Sequence, residues 1–241
     1  FQANLAKWDR RWVPSPTLKT FATVLAKNGY TTAGFISAEP IKKITGMAEG
    51  FSVWSEPDGK HCTADDTTLR VTQWLATGPV EPFMLWVHYF DAHAPYEPPP
   101  PYDTMFRTDD ALETYLAQRR FSDTAPKRFR SPRGETGIRI KYTREDHNLY
   151  DGEVRFIDDQ LAKLFQSLRD SELWQDLSIL LTSDHGEALG QHGREGHGHV
   201  WYEQMHVPLL MRVPGSLPRH IDTPLSTVDI LPTFLALSQG V

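Results

Sequence analysis

Five of the ten histidines in this 241-residue sequence fall within the 22 residues from His185 to His206. The segment opens with Thr182-Ser183-Asp184-His185-Gly186-Glu187 and continues through Gly190-Gln191-His192-Gly193 to Gly196-His197-Gly198-His199. Asp184 and His185 supply a hard carboxylate oxygen and an imidazole nitrogen on adjacent residues. The two can converge on one divalent cation where the backbone leaves regular strand geometry, and Gly186 permits that turn. A lone Asp-His pair in a loop is structural more often than ligating; here the flanking glycines and further histidines turn the reading towards metal. A second cluster is His88-Tyr89-Phe90-Asp91-Ala92-His93-Ala94-Pro95-Tyr96. His93 could donate a hydrogen bond to an anionic group or protonate a leaving oxygen, tasks suited to an imidazole that titrates near neutrality. Standing alone, His88 and His93 would read as satisfied loop histidines.

Both clusters need a scaffold that brings strand ends together. The apolar run Phe83-Met84-Leu85-Trp86-Val87 reads as a strand buried on both faces of a parallel sheet, with the second cluster at its end. The following Glu97-Pro98-Pro99-Pro100-Pro101 predicts an extended polyproline path. A strand over Leu177 to Leu181 ends where the Asp-His segment begins. Spacing predicts a helix from Thr17 with Leu18, Phe21 and Leu25 on one face and Asn28-Gly29 as its stop, then a strand from Thr31 to Ser37. A second helix covers Ala64 to Leu75, with Val71, Trp74 and Leu75 on one side. The strongest helical pattern runs from Asp146 to Leu168 through Val154, Ile157, Leu161, Leu164, Phe165 and Leu168. Val207 to Val213 is a further apolar stretch closed by Pro214-Gly215, and Val228 to Leu237 reads as a final helix stopping near Gly240. Alternating strands and helices without a repeat give an α/β fold with a largely parallel sheet.

Composition narrows the partners. The chain is 39% apolar and 23% charged, with 25 Lys and Arg against 31 Asp and Glu, a net charge of −6. That balance excludes a disordered chain and is poorly suited to gripping a nucleic-acid backbone. The single cysteine, Cys62, allows no intramolecular disulfide and no cysteine-cluster zinc site. No apolar run approaches the roughly 20 residues of a membrane-spanning helix. Residues 103–144 form a polar, basic excursion, read as a solvated loop or as a rim that steers an anionic substrate.

Taken in order, these residues resemble the sulfatase family of the alkaline phosphatase superfamily. Ser183 to Glu187, the glycine and histidine run through His197, Tyr202-Glu203, and Val207-Pro208-Leu209 closing at Pro214-Gly215 are similar to its C-terminal metal motif. Leu18 to Ala33, His88 to Tyr96, Tyr150 to Asp159 and Val228 to Thr233 resemble successive family blocks. The resemblance implies a three-layer α/β/α sandwich with a mostly parallel central sheet, alkaline phosphatase-like. It also implies hydrolysis of sulfuric or phosphoric esters, with Asp184 and His185 as metal ligands. His93 would meet the transferred group or leaving oxygen, and His197 would contact the sulfate or phosphate oxygens, with His199 as the nearby alternative. The expected partner is an anionic sulfate or phosphate ester, as a small molecule or glycan, and the expected compartment of the parent protein is periplasmic or extracellular.

The departures carry expectations too. Family members bear an N-terminal strand with two further acidic ligands and a nucleophile, and neither block is found here. Cys62, in Cys62-Thr63-Ala64-Asp65-Asp66, has the small residue two places on but lacks the Arg four places on, so it is read as an ordinary residue. The sequence is therefore expected to be the C-terminal part of a catalytic domain, incomplete at its N-terminus and inactive or nearly so as it stands. The metal is expected to be one divalent ion, calcium, manganese or zinc, with the His185 nitrogen arguing against a purely calcium-type site. Phosphodiester or phosphonate hydrolysis and phosphoethanolamine-type transfer are the alternatives within the superfamily, and a non-catalytic scaffold is the alternative outside it.

Overall fold

Parallel pairing around one strand organises the first half of the chain. The computed structural model describes residues 5–8, 11–15, 17–106, 128–130, 136–138, 144–171, 173–189 and 195–238. The basic excursion at 103–144 falls almost wholly outside them, as do His192 and the helix stop at Gly240. The described elements are β1 (Leu5–Trp8), β2 (Arg11–Pro14), α1 (Phe21–Lys27), β3 (Thr31–Phe35), β4 (Val53–Ser55), α2 (Ala64–Leu75), β5 (Phe83–Val87), β6 (Arg128–Arg130), β7 (Thr136–Ile138), α3 (Arg144–Asp170), β8 (Ile179–Thr182), β9 (Ala188–Leu189), β10 (Glu195–Gly196), α4 (Tyr202–Met205), β11 (Leu209–Arg212) and α5 (Ile230–Ser238). They divide into two compact units, residues 1–90, 163–178 and 212–241 in one, and 91–162 and 179–211 in the other.

In the first unit, β3 lies between β4 and β5 and is parallel to both, with Gly34 opposite Trp54 and Trp86. Because side chains alternate along a strand, Ala33 and Phe35 face one side. There they form a core with Val71 and Leu75 of α2 and Leu164 and Leu168 of α3. Each such side chain taken from water contributes roughly 1.5–3 kcal/mol. On the other side, Trp54 stacks against Phe51 and Trp86 with ring centroids 5.0 and 5.9 Å away. Thr32 donates to the Gly50 carbonyl (2.7 Å), and Gly50 lies against Thr23 of α1. A parallel sheet with helices packed against it bears out the α/β reading. β5 occupies the predicted residues but is half-buried throughout, since among the described strands it pairs only with β3.

Two helices depart from their apolar pattern. α1 starts at Phe21, because Thr20 and Thr23 exchange a capping box that ends the preceding extended chain. Leu18 consequently lies outside the helix and is 38% exposed. In α3 the buried positions are His147, Glu153, Phe156, Gln160, Leu164 and Leu168, whereas Val154 is 44% exposed. In the second unit the buried stripe is mostly polar, with Phe156 the exception, and in the first it is the apolar pair Leu164 and Leu168. Counting apolar residues alone misplaces that stripe by a fraction of a turn.

In the second unit β9 pairs antiparallel with β10, and β8 pairs with β11, whose last residue, Arg212, is counted in the first unit. The chain extends only to Pro99 in the proline run. From Pro100 it turns, with the Tyr102 N–H bonded to the Pro99 carbonyl (2.9 Å), so the polyproline path is shorter than predicted. Side chains on both faces of β11 are exposed, Leu209 at 39% and Leu210 at 62%. Among the described residues, no helix is long and apolar enough to cross a membrane.

A Cβ placed on Gly34 would stand 2.6 Å from Trp54 Cζ3. Gly34→Ala is therefore expected to lower unfolding free energy by about 1–3 kcal/mol through overpacking, as read by urea titration. An unchanged midpoint would show that the Trp54 ring moves aside at no cost.

Candidate active site

The loop carrying His93 is held from below by α3. Ala92 has φ +68, in the left-handed region that an L residue occupies only when its surroundings hold it there. The holding group is Glu153. Its Oε2 accepts the Ala92 N–H and its Oε1 accepts the Glu97 N–H, both at 2.7 Å, so one carboxyl group brackets residues 92–97. Tyr96 packs edge-on against Tyr150, and Tyr102 donates to Asp159 Oδ2 at 2.8 Å. Gly152 lets the loop approach the helix, since a Cβ there would be 2.5 Å from the Tyr102 carbonyl oxygen. Inside the bracket, His93 Nδ1 lies 2.8 Å from the Ala94 carbonyl. A carbonyl only accepts, so Nδ1 carries a proton and donates it to this bond.

The Asp-His segment leaves β8 at Thr182 and is irregular through Glu187. Ser183 Oγ donates to the His185 carbonyl at 2.6 Å, and the His185 N–H donates to Asp184 Oδ1 at 3.0 Å. His185 Nδ1 donates to the Gly186 carbonyl at 2.9 Å, which in the neutral ring leaves the lone pair on Nε2. Gly186 is required by close approach as well as by the turn. Its N–H donates to the Gln204 carbonyl (2.8 Å), and a Cβ on it would run into the Glu203 carbonyl oxygen.

Three predicted residues meet. The rings of His185 and His197 stack with centroids 3.8 Å apart and planes 23° from parallel. His93 stands edge-on to both, 5.2 Å from His197 and 6.3 Å from His185. Asp184 lies at the margin with its side chain 83% exposed, its Oδ1 3.8 Å from His185 Nε2. The structure thus brings together His93, His185 and His197 beside Asp184, and the His199 ring makes none of these contacts. Glu187 lies behind them with its side chain 5% exposed and Oε1 3.5 Å from His197 Nδ1, ion-pair distance for a protonated ring.

Among the described residues, no three His, Cys, Asp or Glu side chains are grouped so as to hold a metal ion. Asp184 and the His185 Nε2 lone pair supply two donors, which fits part of a divalent cation's shell, and the nitrogen suits manganese or zinc better than calcium. The sequence reads Cys62 as an ordinary residue. It sits in the first unit under Arg70 and Thr67, and burial pushes its thiol up from the usual range.

Sequence reasoning missed Glu153, Gln204 and His147. Burial pushes the Glu153 carboxyl up to about 7, against the pull of its two N–H donors. Burial also lowers His147, whose ring bonds the Leu189 backbone in β9. A Glu or His on a helix carries no local mark of such a role.

The family model for sulfatases matches residues 3–241. This chain belongs to the sulfatase family. Among curated sulfatases it is 30% identical over 170 residues to the uncharacterised sulfatase YidJ of Escherichia coli, covering 66% of this chain and 32% of that protein. A solved chain described in complex with its substrate D-glucosamine-2-N,6-O-disulfate aligns at a TM-score of 0.68 and 18% identity, over 94% of this chain and 62% of that one. The phosphonate monoester hydrolase SpPMH from Silicibacter pomeroyi aligns at 0.68 and 20%, over 98% of this chain and 60% of that one. At such identities the solved structures show the fold alone, which is the alkaline phosphatase-like α/β fold expected of a sulfatase. The chain spans about a third of the length of the curated sulfatase it matches.

Glu153 makes the stability of this sulfatase chain depend on pH. A carboxyl that titrates at 4.5 when unfolded and at about 7 when folded binds its proton more tightly in the folded state between those values. Its stabilising contribution is complete below 4.5 and is lost as pH rises through about 7. Glu153→Gln is expected to remove that dependence, so the wild type loses unfolding free energy relative to the variant across this window. Parallel wild-type and variant curves in urea would show that the two N–H donors keep Glu153 ionised.

Proposed function

We propose that this chain carries part of the active site of a metal-dependent sulfuric ester hydrolase. The observation behind the reading is the meeting of His93, His185 and His197, with the Nδ1 protons of His93 and His185 committed to backbone carbonyls. With Nδ1 so engaged, Nε2 is the atom of each ring that the reading assigns to the chemistry. Asp184 and His185 would hold a divalent cation, which when bound supplies Lewis-acid polarisation of the ester. His93 Nε2, when protonated, donates to the leaving oxygen. His197, backed by the Glu187 carboxylate, binds an equatorial oxygen of the transferred group and balances its developing charge. No residue of this chain is assigned as nucleophile.

A sulfated sugar is the proposed substrate class, supported by the solved relative whose described substrate is a glucosamine disulfate. The second reading, a phosphonate monoester or phosphodiester hydrolase, is favoured by the likeness to the Silicibacter pomeroyi enzyme and by imidazole in the metal donor set.

The test is turnover of an aryl sulfate, an aryl phosphodiester and a phosphonate monoester by the full-length protein, with metal content by mass spectrometry. His185→Ala is expected to remove metal and activity together; stoichiometric metal with unchanged turnover would overturn the assignment. His93→Ala is expected to lower kcat by about 10²–10⁴-fold, least for esters with good leaving groups. No metal and no turnover in the wild type would leave the scaffold reading.

A further inference from the structure

One buried side chain in the second unit makes bonds that the chemistry above does not use. Gln204, on α4, is 2% exposed, and its four polar atoms are all engaged. Its N–H donates to the Trp201 carbonyl (3.0 Å), and its carbonyl accepts the Gly186 N–H (2.8 Å). Side-chain Oε1 accepts the His199 N–H (2.8 Å), and Nε2 donates to the Gly196 carbonyl (3.0 Å). The side-chain partners lie on either side of His197, and the main-chain partner is the residue after His185. A single residue therefore ties down the backbone beneath both rings of the stacked pair.

The loop needs such a tie. Gly196 and Gly198, the neighbours of His197, have φ of +76 and +107, conformations that glycine adopts freely and leaves just as freely. A Gly-His-Gly segment by itself spreads its histidine over many positions. We propose that Gln204 is the positioning residue that fixes His197 against His185. It acts through the loop, without touching the reacting atoms.

The choice of an amide follows from the partners. Gly196 offers an acceptor and His199 a donor, so the clamp must donate at one end and accept at the other. Glutamate would keep the bond to the His199 N–H and set its second oxygen against the Gly196 carbonyl. Methionine would fill the space and leave the Gly196 carbonyl and the His199 N–H without this partner. The expected order of disruption is thus Gln204→Met, then Gln204→Glu, then wild type.

The inference rests on the functional reading for the importance of His197, and its test is built to fail separately. The full-length protein, labelled with ¹⁵N at histidine, is compared with Gln204→Met and Gln204→Glu by long-range ¹H–¹⁵N spectra. The ring-current shifts that His185 and His197 impose on each other are expected to collapse in Gln204→Met and to be partly retained in Gln204→Glu. His147, buried on α3 with its ring bonded to the Leu189 backbone, is expected to keep its signal, which shows that the fold persists. In turnover assays Gln204→Met is expected to lower kcat by about 10²-fold with little change in KM. It should cost nothing further in a His197→Ala background, an outcome that a general loss of structure does not give. Unchanged His185 and His197 signals, or an equal kcat loss with and without His197, would overturn the inference. If the wild type turns over no ester, the functional reading fails and the spectra still decide the role of Gln204. If Gln204→Met does not fold, the Gln204→Glu spectra decide it by the same criterion.

Discussion

Backbone groups in an irregular loop must find hydrogen-bond partners when they are buried, and the second unit is organised around that requirement. Neither the His93 loop nor the His197 loop can supply its own, since both have left strand geometry. In each case a buried side chain from a helix spans the loop, Glu153 from α3 across residues 92–97 and Gln204 from α4 across residues 196–199. The histidines project from backbone held at both ends. Disorder in either loop would cost the ring geometry before it cost the fold.

The long helix meets two demands with one surface. At 27 residues, α3 is about 40 Å long, with residues 144–162 in the second unit and 163–170 in the first. Its last two turns bring Leu164 and Leu168 to the sheet core, where apolar burial is the stabilising force. Its earlier turns meet Leu189 of β9 through His147 and the loop of residues 92–102 through Gly152, Glu153 and Asp159, where hydrogen bonds and close approach decide the packing. Burying Glu153 has an electrostatic cost, visible in the carboxyl pushed up to about 7, and two short N–H bonds offset part of it. An apolar residue there would leave the Ala92 and Glu97 N–H groups unpaired.

The two loops share a second device. His93 and His185 each donate Nδ1–H to the carbonyl of the next residue, Ala94 and Gly186. That bond selects the tautomer of the neutral ring and limits ring rotation, so Nε2 has a definite direction. His197 is held differently, by stacking on His185 and by the nearby Glu187 carboxylate. Its orientation therefore follows from that of His185, which in turn depends on the Gly186 turn against α4.

Local pattern by itself determined much of this molecule. The helix at Ala64–Leu75 was legible from its helical periodicity and the strand at Phe83–Val87 from its short apolar run, and the ordered motifs pointed to the sulfatase family and its α/β fold. Asp184, His185, His93 and His197 stood out in the sequence because their residue types suit such chemistry, and the fold brings the three rings together beside Asp184. Tertiary structure alone decided the rest: that Leu18 and Val154 face solvent, that His197 and not His199 joins the cluster, and that Glu153 and Gln204 hold the loops. Glu153 meets its partners across 61 and 56 positions of sequence. A hydrogen bond between groups so far apart leaves no periodicity in the chain, because it depends on where folding places an N–H and an acceptor rather than on the residues beside them.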